Sequence, residues 1–193
     1  MDLISLIKAL FVPRLIKETT ISNGQLEITM KETNEKAKTK KVIIKGLPEK
    51  SIALKLDEID PNILKNFLLG KKGEVARCDY VLFIQENNNN IECNNKFIYF
   101  IELKSNNLKK QKVKNQLKSS YCLIKYCSML AENFHNNNIL NDFKDRYLVI
   151  KRQSINKRNT KPKGINWSIN SSSDYATINL SPNELYISYN KIK

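Results

Sequence analysis

The chain carries a single histidine, His135, in an Asn-rich stretch. A metal centre or an acid–base pair built on two imidazoles is therefore excluded, and His135 itself reads as a surface residue. Cysteine is almost as sparse. Cys78, Cys93, Cys122 and Cys127 form no Cys-x-x-Cys pair, and the two that share a presumed helix lie too far apart to chelate one ion. That spacing excludes zinc. Reduced, mostly buried thiols in a cytosolic protein are the expectation. The apolar stretch 2–11 is too short to span a bilayer and has neither a basic run nor a small-residue cleavage site beside it, so no signal peptide or anchor is expected. Internal repeats are lacking as well. The last shortage is of negative charge: 19 Asp and Glu stand against 33 Lys and Arg, a formal net charge of +14.

What remains is a chain of 193 residues with 41% hydrophobic content, enough to bury one real core. One domain over 1–193 is expected, with a core near 57–152, an N-terminal extension 1–56 and a basic C-terminal extension 153–193. The charge excess suits a polyanionic partner. An AT-rich coding sequence would give the same Lys-, Asn- and Ile-rich composition, so the placement of the charge says more than its amount. Lys71, Lys72 and Arg77 form one basic group, Lys109, Lys110, Lys112 and Lys118 a second, and Lys151, Arg152, Lys157 and Arg158 a third.

Between the first two groups lies the most informative pattern. Residues 78–84 (CDYVLFI) and 96–103 (KFIYFIEL) are apolar, β-branched or aromatic runs, and the stretch between them, QENNNNIECNN, is polar and turn-rich. This predicts a β-hairpin. Antiparallel pairing about a midpoint between Asn90 and Ile91 sets Asp79 opposite Glu102, Val81 opposite Phe100 and Phe83 opposite Ile98. Period-two alternation then places Asp79, Glu102 and Lys104 on one face at the same end of the hairpin. The opposite face, carrying Tyr80, Leu82, Ile84, Tyr99, Ile101 and Leu103, is apolar too. Two apolar faces predict a central strand pair with helices on at least one side.

A carboxylate pair at such a position suits a hard divalent cation. Mg²⁺ or Mn²⁺ takes one or two carboxylates, keeps several waters and accepts phosphate oxygens. A neighbouring lysine can orient or deprotonate the attacking water, or neutralise charge on a phosphate. The chemistry so implied is metal-assisted phosphodiester hydrolysis. The bland alternative makes Glu102 and Lys104 two exposed charges at a strand end and Asp79 a turn residue; the register across the hairpin argues against it.

Cys78-Asp79 before an apolar strand, followed by a hairpin and then Ile101-Glu102-Leu103-Lys104, resembles the PD-(D/E)XK nuclease superfamily, the restriction-endonuclease-like fold. Cys78 stands where the motif has Pro. The resemblance implies an α/β fold in which a mixed central β-sheet is flanked by helices, with Asp79 opening the second core strand and the Glu-x-Lys ending the third. It further implies Asp79 and Glu102 as ligands of Mg²⁺ (or Mn²⁺) and Lys104 as the third catalytic residue. The family often adds a Glu from the first core helix, for which Glu58 and Glu74 are both candidates. Some members carry Gln-x-x-x-Tyr on the next helix; here Gln116 is followed by Ser120 and then Tyr121, and Gln116 is a candidate accessory contact.

The rest of the chain fits round this core. Residues 107–134 read as a long helix with Val113, Leu117, Tyr121, Ile124 and Leu130 at helical spacing, capped by Asn106 or Asn107 and broken by Asn136 to Asn138. Residues 146–150 read as the fourth core strand. Upstream, a helix over 2–11 stops at Pro13, strands are expected at 25–31, 41–45 and 52–56, and a short helix runs from Pro61 to Leu69 with Gly70 beyond it. Terminal strands are expected at 175–180 and 184–188. Trp167 and Tyr175 could stack on bases beside the basic loop, though packed aromatics are commoner.

The function expected is a cytoplasmic, Mg²⁺-dependent endonuclease acting on DNA, with a homodimer among the assemblies allowed. Small members of the resembled superfamily act in phage defence, mobile-element maintenance or repair. Two alternatives are carried beside it: a nucleic-acid-binding module that keeps the fold without catalysis, and an interaction protein whose basic surface meets an acidic partner.

Overall fold

Strands that are apolar on both faces need cover on both, and this chain supplies the two covers differently. A computed structural model of the protein describes residues 1–32, 41–66, 68–86, 95–104, 109–152, 174–181 and 185–193. Its strands are β1 (Ile16–Glu18), β2 (Thr20–Ser22), β3 (Gln25–Lys31), β4 (Lys41–Lys45), β5 (Lys50–Lys55), β6 (Tyr80–Gln85), β7 (Lys96–Lys104), β8 (Lys144–Arg152), β9 (Ala176–Leu180) and β10 (Tyr186–Ser188). The helices are α1 (Leu3–Leu10), α2 (Pro61–Lys65) and α3 (Lys110–His135).

Six strands form a mixed central sheet in the order β1-β5-β6-β7-β8-β9, and four form a second sheet, β10-β4-β3-β2. Within the central sheet β5, β6 and β7 make an antiparallel meander. Strand β8 returns through α3 to lie parallel to β7, and β9 lies parallel to β8. This is an α/β architecture. The hairpin register is the expected one, with Val81 facing Phe100 and Phe83 facing Ile98.

On one face Val81, Phe83, Ile98 and Phe100 pack with Leu3, Leu6 and Ile7 of α1 and Val113, Leu117 and Ile124 of α3. Asp2 holds the start of α1 by accepting from the Ser5 N–H at 3.1 Å. Asn136 ends α3 in the left-handed conformation, φ 49°, as a C-terminal breaker should. On the other face Tyr80, Leu82, Ile84, Tyr99, Ile101 and Leu103 meet Ile28, Met30, Val42 and Ile44 of the second sheet, together with Ile187, Tyr189 and Ile192. Helices α1 and α3 thus cover one side, and a sheet covers the other.

Several boundaries differ from the expectation. The central sheet is wider than 57–152, since it takes in β5 and β1 on one side and β9 on the other. Strands β3 and β4, expected as parts of an N-terminal extension, are a packing layer of the molecule, and β10 joins them by pairing parallel to β4. The short helix after Asp60 runs only from Pro61 to Lys65, and the fourth core strand is longer, Lys144–Arg152. Helix α3 starts at Lys110 with no side-chain cap at Lys109. Asn106 and Asn107 lie outside the described residues, as do Cys93, Lys157, Arg158 and Trp167. Tyr175 is packed against the helix-side core, and no helix among the described residues is long and apolar enough to cross a membrane.

Candidate functional site

Asp79 stands immediately before β6, where the chain is tied to both neighbouring strands. Its carbonyl accepts from the Leu56 N–H at 2.9 Å, beyond the end of β5, and its carboxylate Oδ2 accepts from the Leu103 N–H at 2.6 Å in β7. Since Tyr80 pairs with Ile101, one further step of the register sets Asp79 against Glu102. Glu102 is bracketed on its other side by Val149 of β8 and is wholly buried, with 0% exposure, while Asp79 retains 6%. The alternative reading of Glu102 as an exposed strand-end charge is thereby corrected.

Lys104, the last residue of β7, forms an ion pair with Glu102 Oε1. Its Nζ also donates to Gln116 Oε1 of α3 at 3.4 Å, and Gln116 Nε2 donates to the Arg77 carbonyl at 2.9 Å. One turn further along α3, the buried Ser120 hydroxyl accepts from the Cys78 N–H at 2.8 Å. Two side chains of one helix therefore hold residues 77–78 at the mouth of the sheet. Glu102 Oε2, in contrast, is buried without a hydrogen-bond partner. A buried orphan acceptor costs about 1–3 kcal/mol, more when charged, so its retention needs a reason.

The electrostatics carry the same message. Burial and the adjacent Glu102 and Glu32 charges push the Asp79 carboxyl well above its usual range, against the opposing Leu103 N–H and Lys104. Burial raises Glu102 to about 7 despite Lys104 and Gln116, with Glu32 adding to the rise. Lys104 is raised: burial alone would lower it, but Glu102, Asp79 and Glu32 outweigh that effect. It is a held cation in this state, suited to neutralising negative charge. Cys78 is pushed up by burial, which makes it inert packing.

The other expected residues fall in different places. Glu58 follows β5 and pairs with Lys55 at 3.1 Å and Lys17 at 3.8 Å. Glu74 is exposed in the turn before Asp79, where its Oε2 accepts from the Lys72 N–H at 2.9 Å. Neither is among the main influences on Asp79 or Glu102, whereas the charge of Glu32, just after β3, raises both. The influence of Glu32 was not readable from the sequence, because it follows a strand of the second sheet. Its one sequence signal was an acid at the end of a strand entering a charged turn.

Lys71, Lys72, Lys109, Lys110, Lys112 and Lys118 are exposed, and Lys151 is half-buried at the end of β8 beside Lys104 in the register. Arg77 differs from these, with 9% exposure. Its Nη1 donates to the Ala76 carbonyl at 2.9 Å, but Nε and Nη2 are buried with no partner, and burial lowers its pKa. Two guanidinium nitrogens without partners, on the residue whose own carbonyl Gln116 holds, suit an anion better than they suit the apo fold.

No protein-family model matches this chain, and no curated protein or solved structure is significantly similar to it.

Proposed function

We propose that the protein is a divalent-metal-dependent nuclease that hydrolyses phosphodiester bonds, with DNA as its substrate. The observation that carries this reading is Glu102: a carboxyl with no exposure and an unpartnered Oε2, set beside Asp79 and Lys104 at the end of the central strands. The resemblance to the PD-(D/E)XK superfamily supports it, because Asp79 opens the second strand of the β5–β6–β7 meander and the Glu-x-Lys closes the third.

The donor set fits a hard cation. Asp79 and Glu102 would hold it; they offer oxygen only, and their mutual repulsion is relieved by a positive charge. When bound, Mg²⁺ or Mn²⁺ supplies Lewis-acid polarisation of a phosphate and a more acidic water. Lys104, fixed by Glu102 and Gln116, would place positive charge where a pentacoordinate phosphorus gathers negative charge. Arg77 and the exposed lysines of the turn before β6 and of the first turns of α3 hold the flanking backbone. A cytoplasmic setting in defence, mobile-element maintenance or repair belongs to the same reading.

The test is cleavage of supercoiled, linear and single-stranded DNA and of RNA with Mg²⁺ or Mn²⁺, comparing wild type with Glu102→Ala. Abolished cleavage in the variant is expected. A second reading, a binding module without catalysis, draws on the two-carboxylate count; salt-sensitive DNA binding with no cleavage by wild type would establish it in place of the first.

A further inference from the structure

The turn that leads into β6 is tied to α3 from one end to the other. The Asn115 amide donates to the Lys72 carbonyl at 3.0 Å and Ser119 to the Glu74 carbonyl. The Gln116 amide donates to the Arg77 carbonyl at 2.9 Å, and Ser120 accepts from the Cys78 N–H at 2.8 Å. Gly73, at φ 93°, lies so close to the helix that a Cβ there would meet the Asn115 side chain at 2.7 Å. Residues 72–78 are therefore set in place by the fold itself. One group in this fixed turn is left without a use. Arg77 has 9% exposure; its Nη1 donates to the Ala76 carbonyl at 2.9 Å, while Nε and Nη2 are buried without partners. Those two nitrogens share one edge of the planar guanidinium, so their N–H bonds run side by side. Glu74, the one acid of this turn, accepts from the Lys72 N–H at 2.9 Å and leaves that edge unfilled.

We infer that the Nε–Nη2 edge of Arg77 is a binding site, independent of any metal, for a single phosphate group held side-on through two of its oxygens. Two parallel donors on one cation match two oxygens of one tetrahedral anion, a fit that a lysine ammonium cannot give. A guanidinium keeps its proton even when buried, so an anion must supply both the missing acceptors and the opposing charge. Because α3 already holds the turn, little further ordering is lost when the phosphate binds. The Gln116 side chain that holds the Arg77 carbonyl also accepts from Lys104 Nζ at 3.4 Å, which ties the phosphate site to Lys104 through one amide. The source of the phosphate rests on the nuclease reading: it is a phosphate of the bound strand other than the one that reacts. An internal diester, a strand end and free phosphate all offer the same pair of oxygens, and binding measurements separate them.

The experiment is calorimetric titration of the full chain in EDTA with inorganic phosphate, so that binding is read without metal or turnover. Arg77→Lys, which keeps the charge and loses the paired donors, should weaken phosphate binding by ~10-fold or more, the scale of one charge-assisted hydrogen bond. Arg77→Met should weaken it at least as much. Asn115→Ala, which loosens the turn and leaves Arg77 intact, should weaken it by a smaller factor. Arg14→Met removes an exposed guanidinium elsewhere in the fold and should leave binding unchanged. Two dinucleotides, one with hydroxyl ends and one with a terminal phosphate, identify the source. Arg77-dependent binding of both marks an internal diester, and of the second alone a strand end; phosphate binding with neither dinucleotide bound overturns the assignment to a strand. A wild type that binds no phosphate, an Arg77→Lys protein within about twofold of wild type, or acetate bound as tightly as phosphate overturns the site. Protein that cleaves DNA without Arg77-dependent phosphate binding overturns this inference alone. Protein that binds phosphate in this way and cleaves nothing leaves the site standing and overturns the nuclease reading.

Discussion

The Leu103 N–H donates to Asp79 Oδ2 at 2.6 Å, so a side chain proposed to bind metal also closes a backbone hydrogen bond at the end of β7. The two duties can be separated. Asp79→Asn keeps an oxygen for Leu103 and should fold normally, whereas Asp79→Ala orphans a buried N–H and should lose about 1–3 kcal/mol of stability. Both should abolish metal-dependent cleavage. Urea unfolding beside a cleavage assay checks the pair, and equal stability in the two variants would remove the structural role.

Glu102 is a buried carboxylate with one oxygen unmet, and such groups are retained at a cost to the apo fold. Glu102→Gln should therefore raise the melting temperature of the metal-free protein while ending activity. Wild type should gain stability with added Mn²⁺ and the variant should gain none. Thermal melts with EDTA and with Mn²⁺ decide this; a Glu102→Gln protein that melts below wild type in EDTA would point to a structural carboxylate.

Lys104→Met should reduce cleavage by roughly 10²-fold or more, the scale for removing a charge-stabilising group, with DNA affinity nearly unchanged. It also strips Glu102 Oε1 of its ion pair, so stability should fall with it. Single-turnover rates and a binding isotherm on the same substrate separate the effects.

The exposed lysines and Arg77 should differ in kind. Replacing Lys109, Lys110, Lys112 and Lys118 with Gln should flatten the dependence of DNA affinity on salt, by about one in the log–log slope for each phosphate no longer neutralised, without changing stability. Arg77→Met removes a buried cation with unmet donors, so the fold should hold or gain while affinity falls. An unchanged slope in the lysine variant would remove those residues from the interface.

Acid stability should depend on Glu86, at the end of β6. Its Oε1 accepts from Tyr189 at 2.9 Å and pairs with Lys193 at 3.0 Å, while Oε2 accepts from Asn95 at 3.2 Å. Burial would raise this carboxyl, but Lys193, Tyr189 and Asn95 outweigh it and hold its pKa below the usual value of 4.5. A carboxylate depressed in the folded state stabilises fully above its unfolded pKa and loses that contribution as pH falls through the folded one. Wild type should weaken below about pH 5, and Glu86→Gln should weaken less steeply over the same range. Chemical unfolding at stepped pH values measures the difference.

The hairpin was legible in the sequence because two alternating runs with a turn-rich break admit few registers, and the register alone aligned Asp79 with Glu102. Helix α3 and its apolar stripe were legible for the same local reason. The second sheet as a cover was not. Strands β3 and β4 declare themselves as strands, but nothing local says that their apolar side meets Tyr80, Leu82 and Tyr99 rather than a helix. The two hydrogen bonds between the Tyr80 hydroxyl and the Lys31 backbone depend on that docking. Gln116 was found through its helix position, while its bond to the Arg77 carbonyl spans 39 residues of chain and left no local trace.

The parallel pairing of β10 with β4 has a kinetic consequence. Tyr186 lies beside Ile43, so the second sheet cannot close its edge until nearly the whole intervening chain has been made and ordered. Contacts of such long sequence separation form late and slow the search. The helix-side core, built from nearer neighbours in α3, β6 and β7, can assemble first, leaving the opposite face of the hairpin bare in the meantime. A nascent chain stalled before residue 186 would present Ile28, Met30, Val42 and Ile44 without their last strand, an open edge able to recruit a chaperone or another copy.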